Sequence, residues 1–334
     1  MQILRQAIRE QVIFGNNLSD DAFHVGLSGT ANYIPYIGIT IMSFHKANPD
    51  MSFVFHLFVS SLSQMERKRL RKASEEMNCE IHIYLVNDEI FKSIVYGMYT
   101  ASFWYRFIMP DIVCDQTDRL LYVDADIMCF GSVAELKNMN LDGRIAAVVA
   151  DLGGSISAKK LNVQGYFNSG MMLINVKQWV KLRILKQIID FSQQMLPKID
   201  KSGKCKEWKN ARYNDQNILN KVLDQRITWL HRKYNYIYQM HRTSLFRKAP
   251  YNEDYRDQVL LHFAGKAKPW VDWVQHWPVT QEYRSIWLAS PWREIPLTVP
   301  KERKQFHDAA RTYRKQHDYK KMLFWYAKYF FSRM

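Results

Sequence analysis

Along the first half of the chain, short apolar runs alternate with segments whose apolar residues recur at helical spacing. Phe23–Leu27, Ser52–Val59, Ile81–Val86, Leu120–Val123, Ile145–Ala150 and Met171–Asn175 read as buried strands. Between them, Tyr33–His45 repeats Ile34, Ile37, Ile41 and Phe44 at helical spacing. Ser63–Met77 reads as a charged surface helix and Met98–Met109 as another helix. Strands that are apolar throughout need cover on both faces. The rhythm therefore predicts an α/β fold with a mainly parallel central sheet and helices on both sides. In such sheets ligands bind beyond the carboxyl ends of the strands.

From about Lys181 the pattern loosens. A helix follows Trp179, and the Lys-rich stretch 198–209 reads as an exposed loop. Asp215–Leu223 reads as a helix and Val259–Phe263 as one more strand. Beyond about Pro300 the chain is helical in propensity, basic and aromatic, which divides it into a domain over 1–300 and a tail over 301–334. No internal repeat or low-complexity linker interrupts it.

Charge sharpens this picture. The 334 residues carry a formal net charge of +15, so an anionic partner is expected: phosphate-bearing substrate, acidic membrane or nucleic acid. Lys301–Met334 alone holds ten Lys/Arg against three Asp/Glu, or +7 of the +15. With 47% hydrophobic residues the chain can bury a large core, and wholesale disorder is excluded. Cys79, Cys114, Cys129 and Cys205 form no CxxC pair and no zinc spacing, which predicts reduced thiols in a reducing compartment. The first ten residues are broken by charge and lack the apolar stretch of a signal peptide. No run approaches the roughly 18 apolar residues of a membrane span, so any membrane contact is expected to be peripheral.

The strongest chemical signal is Leu120-Leu-Tyr-Val-Asp-Ala-Asp-Ile127. A buried strand runs straight into Asp124 and Asp126, and the two-residue spacing puts both carboxylates on one side of extended backbone. Such a pair can share a hard divalent cation that also takes phosphate oxygens; a bare pair of solvated acids in a turn is the bland alternative. Leu261-His-Phe-Ala-Gly-Lys-Ala-Lys-Pro-Trp270 adds His262 as a candidate third ligand, Gly265 for close backbone approach, and Lys266 and Lys268 as phosphate partners. Taken alone it reads more readily as a basic surface loop. In Gly165-Tyr-Phe-Asn-Ser-Gly-Met-Met-Leu-Ile-Asn175, Asn168 and Ser169 fall just before a strand, where they can bond sugar hydroxyls. In Tyr213-Asn-Asp-Gln-Asn-Ile218, Asn214 or Asp215 caps a helix, a routine structural role.

In chain order the four segments, the Asp-Ala-Asp strand end, Phe-Asn-Ser-Gly, the Asp-Gln pair and then His262–Trp270, resemble the family 8 retaining glycosyltransferases, and among them the bacterial enzymes that add glucose or galactose to the lipopolysaccharide core. The resemblance covers roughly His24 to Trp292. It implies a GT-A fold, a UDP-hexose donor and a Mn²⁺ or Mg²⁺ cofactor. It further implies that Asp124, Asp126 and His262 hold the metal and that Gly265 and Lys268 contact the diphosphate. By the same resemblance Gly26, Thr30, Asn32 and Tyr33 seat the uridine, with Ala125, inside the Asp-Ala-Asp motif, and Ser169 also donor-binding. Arg106 reaches the donor sugar, and Asp151, Asn168, Asp215 and Gln216 surround the hexose. Two positions depart from the family pattern: Thr30 stands where relatives usually carry Asp, and Asn217 where they often do.

Sugar transfer develops negative charge on the leaving diphosphate and positive charge on the ring. A cation with Lys268 suits the first, and Asp215 and the Gln216 carbonyl oxygen the second. The resemblance implies retention and an α-linkage. Retention by double displacement needs a nucleophile, for which Asp215 and Gln216 are candidates. Front-face transfer, with Gln216 as an electrostatic helper, is preferred here.

In the tail, Tyr319, Met322, Leu323, Tyr326 and Phe330 share one helical face. Phe324, Trp325 and Phe331 broaden it, and Lys320, Lys321, Lys328 and Arg333 flank it. This composition predicts an interfacial helix on the anionic inner face of a bacterial inner membrane, with a core-packed helix as the alternative. The expected protein is a cytoplasmic, peripheral transferase acting on the lipopolysaccharide outer core. Its rivals are a family relative with another glycan acceptor and a non-catalytic carbohydrate-binding relative. A nucleic-acid binder would leave the Asp-Ala-Asp, Phe-Asn-Ser-Gly and His262–Trp270 motifs unexplained, and no helix-turn-helix, zinc or RNA-binding signature is present.

Overall fold

The computed structural model of the protein describes residues 2–15, 21–91, 101–194, 215–238, 240, 255–265 and 267–332. The chain forms two compact units, one of Met1–Tyr236 with Arg256–His262, the other of Ile237–Tyr255 with Phe263–Met334. The expected helical residues 98–100, the loop at 198–209, and Tyr213, Asn214, Cys205 and Lys266 lie outside the described residues.

The strands, in chain order, are β1 (Ile8–Phe14), β2 (Phe23–Gly29), β3 (Phe53–Val59), β4 (Glu80–Val86), β5 (Arg119–Val123), β6 (Ile127–Cys129), β7 (Ala146–Ala150), β8 (Phe167–Asn175), β9 (Ile227–Leu230), β10 (Tyr236–Ile237) and β11 (Leu260–His262). Eight of them form one sheet in the order β1-β4-β3-β2-β5-β8-β7-β9. The pairs β2–β3, β3–β4, β2–β5 and β7–β9 are parallel. Since β8 runs antiparallel to both β5 and β7, those two share a direction. Six strands therefore point the same way, and only β1 and β8 oppose them. All seven residues of β3 are buried, as a central strand covered on both faces requires. One face is covered by a cluster that includes Trp104, Phe107, Met109, Tyr122, Met172 and Trp179.

The helices fall where the periodicity puts them, with shifted ends. Ile34–Ala47 begins with a proline in its first turn. Gln64–Met77 is capped by Ser63, whose hydroxyl accepts the Glu66 N–H at 3.1 Å, and it ends on left-handed Asn78. The expected helix to Met109 is a 3-10 turn over Ala101–Trp104 followed by Tyr105–Ile112. The edge strand β1 is a feature that the pattern did not reveal. Its residues are mostly exposed, so it lacks the apolar run of the central strands. β8 starts four residues before the expected Met171, so Asn168 and Ser169 lie inside the strand. Its opening is irregular: the partners of Val148 and Val149 jump from Met172 to Asn168. Apolar periodicity is blind to a strand opening whose polar residues pair with the site.

In the second unit, Trp270, Tyr283, Trp287 and Trp292 are buried around the helix Pro278–Ala289. Arg303–Lys315 and Tyr319–Phe331 form a helical hairpin. Its seam corrects the expected interfacial face. Trp325 is buried and stacks on Phe306 at 5.7 Å, and the Arg303 guanidinium lies 4.2 Å from the centre of the Tyr329 ring. The exposed apolar residues are Tyr319, Leu323, Phe324, Phe330 and Phe331. Among the described residues no helix is long and apolar enough to cross a membrane.

Candidate active site

The shared strand direction brings three functional segments to one edge of the sheet. Asp124 follows β5, Asp151 follows β7, and the reversed strand β8 begins there with Phe167, Asn168 and Ser169. The Asp124 N–H donates to the Gly170 carbonyl at 2.8 Å, and the Asp151 N–H to that of Tyr166, just before β8, at 2.9 Å, so β8 and its approach fix both acids.

Beyond β5 the chain turns directly into β6, which pairs antiparallel with β11 so that Ile127 faces His262. The helix Ile34–Ala47 fastens this turn from behind. Thr40 Oγ1 lies 2.8 Å from the Ile127 carbonyl and 3.2 Å from that of Ala125, and Ser43 Oγ accepts the Cys129 N–H at 2.9 Å. The result is a cluster of Asp124, Asp126 and His262 with one ligand atom from each, all within 4.8 Å of one another. His262 Nδ1 is 3.0 Å from Asn235 Oδ1, and the Asn235 amide nitrogen donates to Asn168 Oδ1 at 2.9 Å. Asn235 Oδ1 can only accept, so Nδ1 carries the proton and the Nε2 lone pair faces Asp126 Oδ1 at 3.3 Å. Two acceptors this close need a cation or proton between them. Two carboxylates and an imidazole suit a divalent metal ion.

Arg106, on the helix Tyr105–Ile112, joins this cluster to the next. Its Nη2 donates to Asp124 Oδ1 at 3.0 Å and its Nη1 pairs with Asp215 Oδ2 at 2.8 Å. Nη1 also lies 3.3 Å from Ser169 Oγ, and the guanidinium sits 4.8 Å from the centre of the Tyr122 ring. Burial alone would lower the Arg106 pKa, but Asp124 and Asp215 outweigh it and hold the guanidinium above its usual range. Tyr122 donates to Asp124 Oδ1 at 2.7 Å; burial first, then the Asp124 charge, keep its phenol protonated, with its pKa well above the usual value.

Asp215 and Gln216 open the helix Asp215–Val222. Gln216 Oε1 accepts the Ser169 N–H at 3.2 Å and its amide nitrogen donates to Asp151 Oδ2 at 3.3 Å. Asn168 donates to the same carboxylate oxygen at 3.3 Å. One hydrogen-bonded chain thus runs His262, Asn235, Asn168, Asp151, Gln216 and Ser169. Asn217, the departure from the family pattern, accepts the Tyr166 hydroxyl at 2.5 Å.

The remaining expected residues lie apart from this network. Gly26 is buried within β2, where the Met109 sulphur would stand 2.2 Å from an added Cβ, which makes it a packing glycine. Thr30 precedes the 3-10 turn Ala31–Tyr33 and accepts the Tyr33 N–H at 2.8 Å. Asn32 is exposed, as is Tyr33, which meets Tyr36 edge to face at 5.7 Å. Gly265, at φ +105°, and Lys268, whose Nζ donates to the Phe263 carbonyl at 2.8 Å, belong to the second unit.

Residues that sequence reasoning passed over complete the site. Tyr122 carried a signal, since it stands two positions before Asp124 and so shares its side of the strand. Asn235 and Thr40 carried none. Gly170 was quoted in its motif without a role.

Residues 24–274 match the profile of glycosyl transferase family 8, and residues 277–333 that of the glycosyl transferase family 8 C-terminal segment. The chain belongs to family 8. It is 28% identical over 312 residues to the lipopolysaccharide glucosyltransferase WaaO of Escherichia coli strain K12, covering 91% of this chain and 88% of that one. It is also 28% identical over 343 residues to a lipopolysaccharide 1,3-galactosyltransferase of Salmonella typhimurium, covering 98% of each. The galactosyltransferase LgtC, solved with donor and acceptor sugar analogues, superposes with a TM-score of 0.63 at 22% identity over 84% of this chain and 99% of that one. This likeness bears on the fold, which is the expected GT-A arrangement. As a family 8 member the protein is a glycosyltransferase.

Proposed function

We propose that this protein transfers glucose or galactose from a UDP-sugar to the lipopolysaccharide outer core, with retention and an α-linkage. The observation that carries the proposal is the Asp124–Asp126–His262 cluster, bonded through Asn235, Asn168 and Asp151 to Gln216. The similarity to lipopolysaccharide glucosyl- and galactosyltransferases supports the substrate class.

Asp124, Asp126 and His262 would hold Mn²⁺ or Mg²⁺. Bound there, the ion supplies charge neutralisation for the departing diphosphate. The residues of the chain do the rest. Asn235 fixes the tautomer and aim of His262. Arg106 holds Asp124 and Asp215 in place and keeps a positive charge beside the donor. Asp151 orients the Gln216 and Asn168 amides, and the Gln216 oxygen stands ready to stabilise positive charge on the sugar ring. Thr30, Asn32, Tyr33 and Ala125 serve the nucleotide, and Gly265 and Lys268 the diphosphate. Front-face transfer requires no nucleophile from the chain, which accords with Asp215 Oδ2 being held by Arg106 and the Gln216 amide being engaged in positioning. A trapped glycosyl adduct on Asp215 would overturn that choice.

We assign the protein to the cytoplasmic face of the inner membrane. Tyr319, Leu323, Phe324, Phe330 and Phe331 are exposed on a basic helical hairpin, the composition that binds anionic lipid. Co-sedimentation with phosphatidylglycerol vesicles, lost in Leu323→Ser with Phe324→Ser, tests this assignment.

The deciding experiment measures UDP release from UDP-glucose and UDP-galactose, with Mn²⁺ and with EDTA, in the native protein and Asp124→Ala. Metal-dependent release from one donor, absent in the variant, supports the proposal and names the sugar. Release that is indifferent to EDTA and to the substitution refutes it.

A further inference from the structure

Trp229 is 48% exposed and is the most exposed of the described tryptophans, whereas Trp179, Trp287 and Trp292 are fully buried. A single exposed aromatic is common on protein surfaces, so what sets Trp229 apart is how it is held. Its position is fixed on both sides. On one side, β9 pairs in parallel with β7, Val148 opposite Trp229 and Val149 opposite Leu230. On the other, the indole lies across Gly165: a Cβ there would stand 2.4 Å from Cζ2 and 2.9 Å from Cη2. Only glycine lets the ring approach the backbone this closely.

The loop beneath is fastened. Asp224 accepts the Gln164 N–H at 3.0 Å, and Lys221 Nζ bonds the carbonyls of Leu161 and Asn162 at 3.2 Å each. Lys221 belongs to the helix that Asp215 and Gln216 open, and Asp224 follows it. Tyr166, next to Gly165, takes the Asp151 N–H at 2.9 Å. The platform is thus built onto the frame that holds Asp151 and Gln216. Asp151 lies two residues beyond Val149, the partner of Leu230, which sets Trp229 roughly 10 Å from it along the strand direction at ~3.3 Å per residue. Asn162 and Gln164, both exposed, carry amide groups in the same loop as Gly165.

We infer that Trp229 is a stacking platform for a pyranose ring of the acceptor saccharide, one or two units inward from the hydroxyl that accepts the hexose. A pyranose presents a C–H face to an aromatic ring and a rim of hydroxyls to neighbouring amides. This rests on the transferase proposal above.

The test compares the native protein with Trp229→Ala and Trp229→Tyr. Core oligosaccharide lacking its outer core serves as acceptor, and acceptor-independent UDP release is followed alongside. The expected result for Trp229→Ala is an acceptor KM raised about tenfold, since base–aromatic stacking of comparable area is worth about that much. The donor KM and kcat stay near native, and Trp229→Tyr recovers most of the loss. An acceptor KM within twofold of native in Trp229→Ala overturns the subsite and leaves the transferase proposal standing. Loss of kcat and acceptor-independent release together with a lower melting temperature, unrescued by Tyr, assigns Trp229 to stability alone and also overturns it. Absence of UDP release from the native protein with either donor removes the transferase proposal and this subsite with it.

Discussion

The imidazole of His262 packs so closely on Gly170 that a Cβ at position 170 would stand 2.3 Å from Cε1 and 2.7 Å from Nδ1. The same glycine gives its carbonyl to the Asp124 N–H and its N–H to Asn168 Oδ1. One residue therefore sets the distance between strand β8 and two members of the candidate metal cluster, Asp124 and His262. Gly170→Ala must displace the His262 ring or the strand that carries position 170. The Mn²⁺ concentration for half-maximal UDP release should rise roughly 10- to 100-fold, the range seen when the supports of metal ligands are lost. A metal titration with an unchanged midpoint would contradict this.

Arg106 bridges Asp124 and Asp215 with two different nitrogens of one planar group. A lysine carries the charge but offers a single point, so it cannot hold both carboxylates and Ser169 in this geometry. Arg106→Lys should lower kcat/KM roughly 100-fold, the scale of losing one oriented charge donor in an active site. Steady-state kinetics within threefold of native would show that charge alone suffices.

His24, His56, His82 and Tyr84 lie across β2, β3 and β4, with His24 Nδ1 2.9 Å from His56 Nε2. Burial, then His82, lower the His24 pKa to about 4 despite the opposing Glu80 charge. Burial, then His24 and His82, lower that of His56 well below 6.5. Both are neutral when folded and take up protons near pH 6.5 when unfolded. Stability is therefore full above pH 6.5 and falls as the pH drops from 6.5 toward 4, by up to about 3 kcal/mol for His24. Denaturation midpoints across that window should show the loss, and His24→Gln should flatten it.

Asp111 accepts the Trp179 indole N–H at 3.2 Å, and burial raises its carboxyl to about 6. Its folded pKa exceeds the unfolded value, so stability is greatest below about pH 4 and declines as the pH rises through 6. Asp111→Asn keeps the acceptor for Trp179 and removes the charge. It should raise stability at pH 7 by on the order of 2 kcal/mol, with no gain at pH 4. Equal gains at both pH values would assign the effect to packing.

The elements that carry apolar periodicity were legible in the chain. β3 and Ile34–Ala47 emerged because burial on one or both faces writes itself into residue spacing. Asp124 and Asp126 emerged because two-residue spacing fixes side chains to one side of a strand. β1, mostly exposed, left no such trace. The tail was recognisable as basic and aromatic, yet only the hairpin decided that Trp325 packs on Phe306 while Leu323 and Phe324 face outward.

By itself, then, the order of residues determined the α/β rhythm, the family 8 motifs, and the candidate ligands Asp124, Asp126 and His262. Only the tertiary structure decided that Gly170 makes room for His262, that Asn235 aims it, and that Arg106 ties Asp124 to Asp215. The reason is physical. Periodicity and motif spacing are local properties of a chain, whereas these contacts join residues some tens to more than a hundred positions apart, and polar side chains at such separations leave no pattern along it.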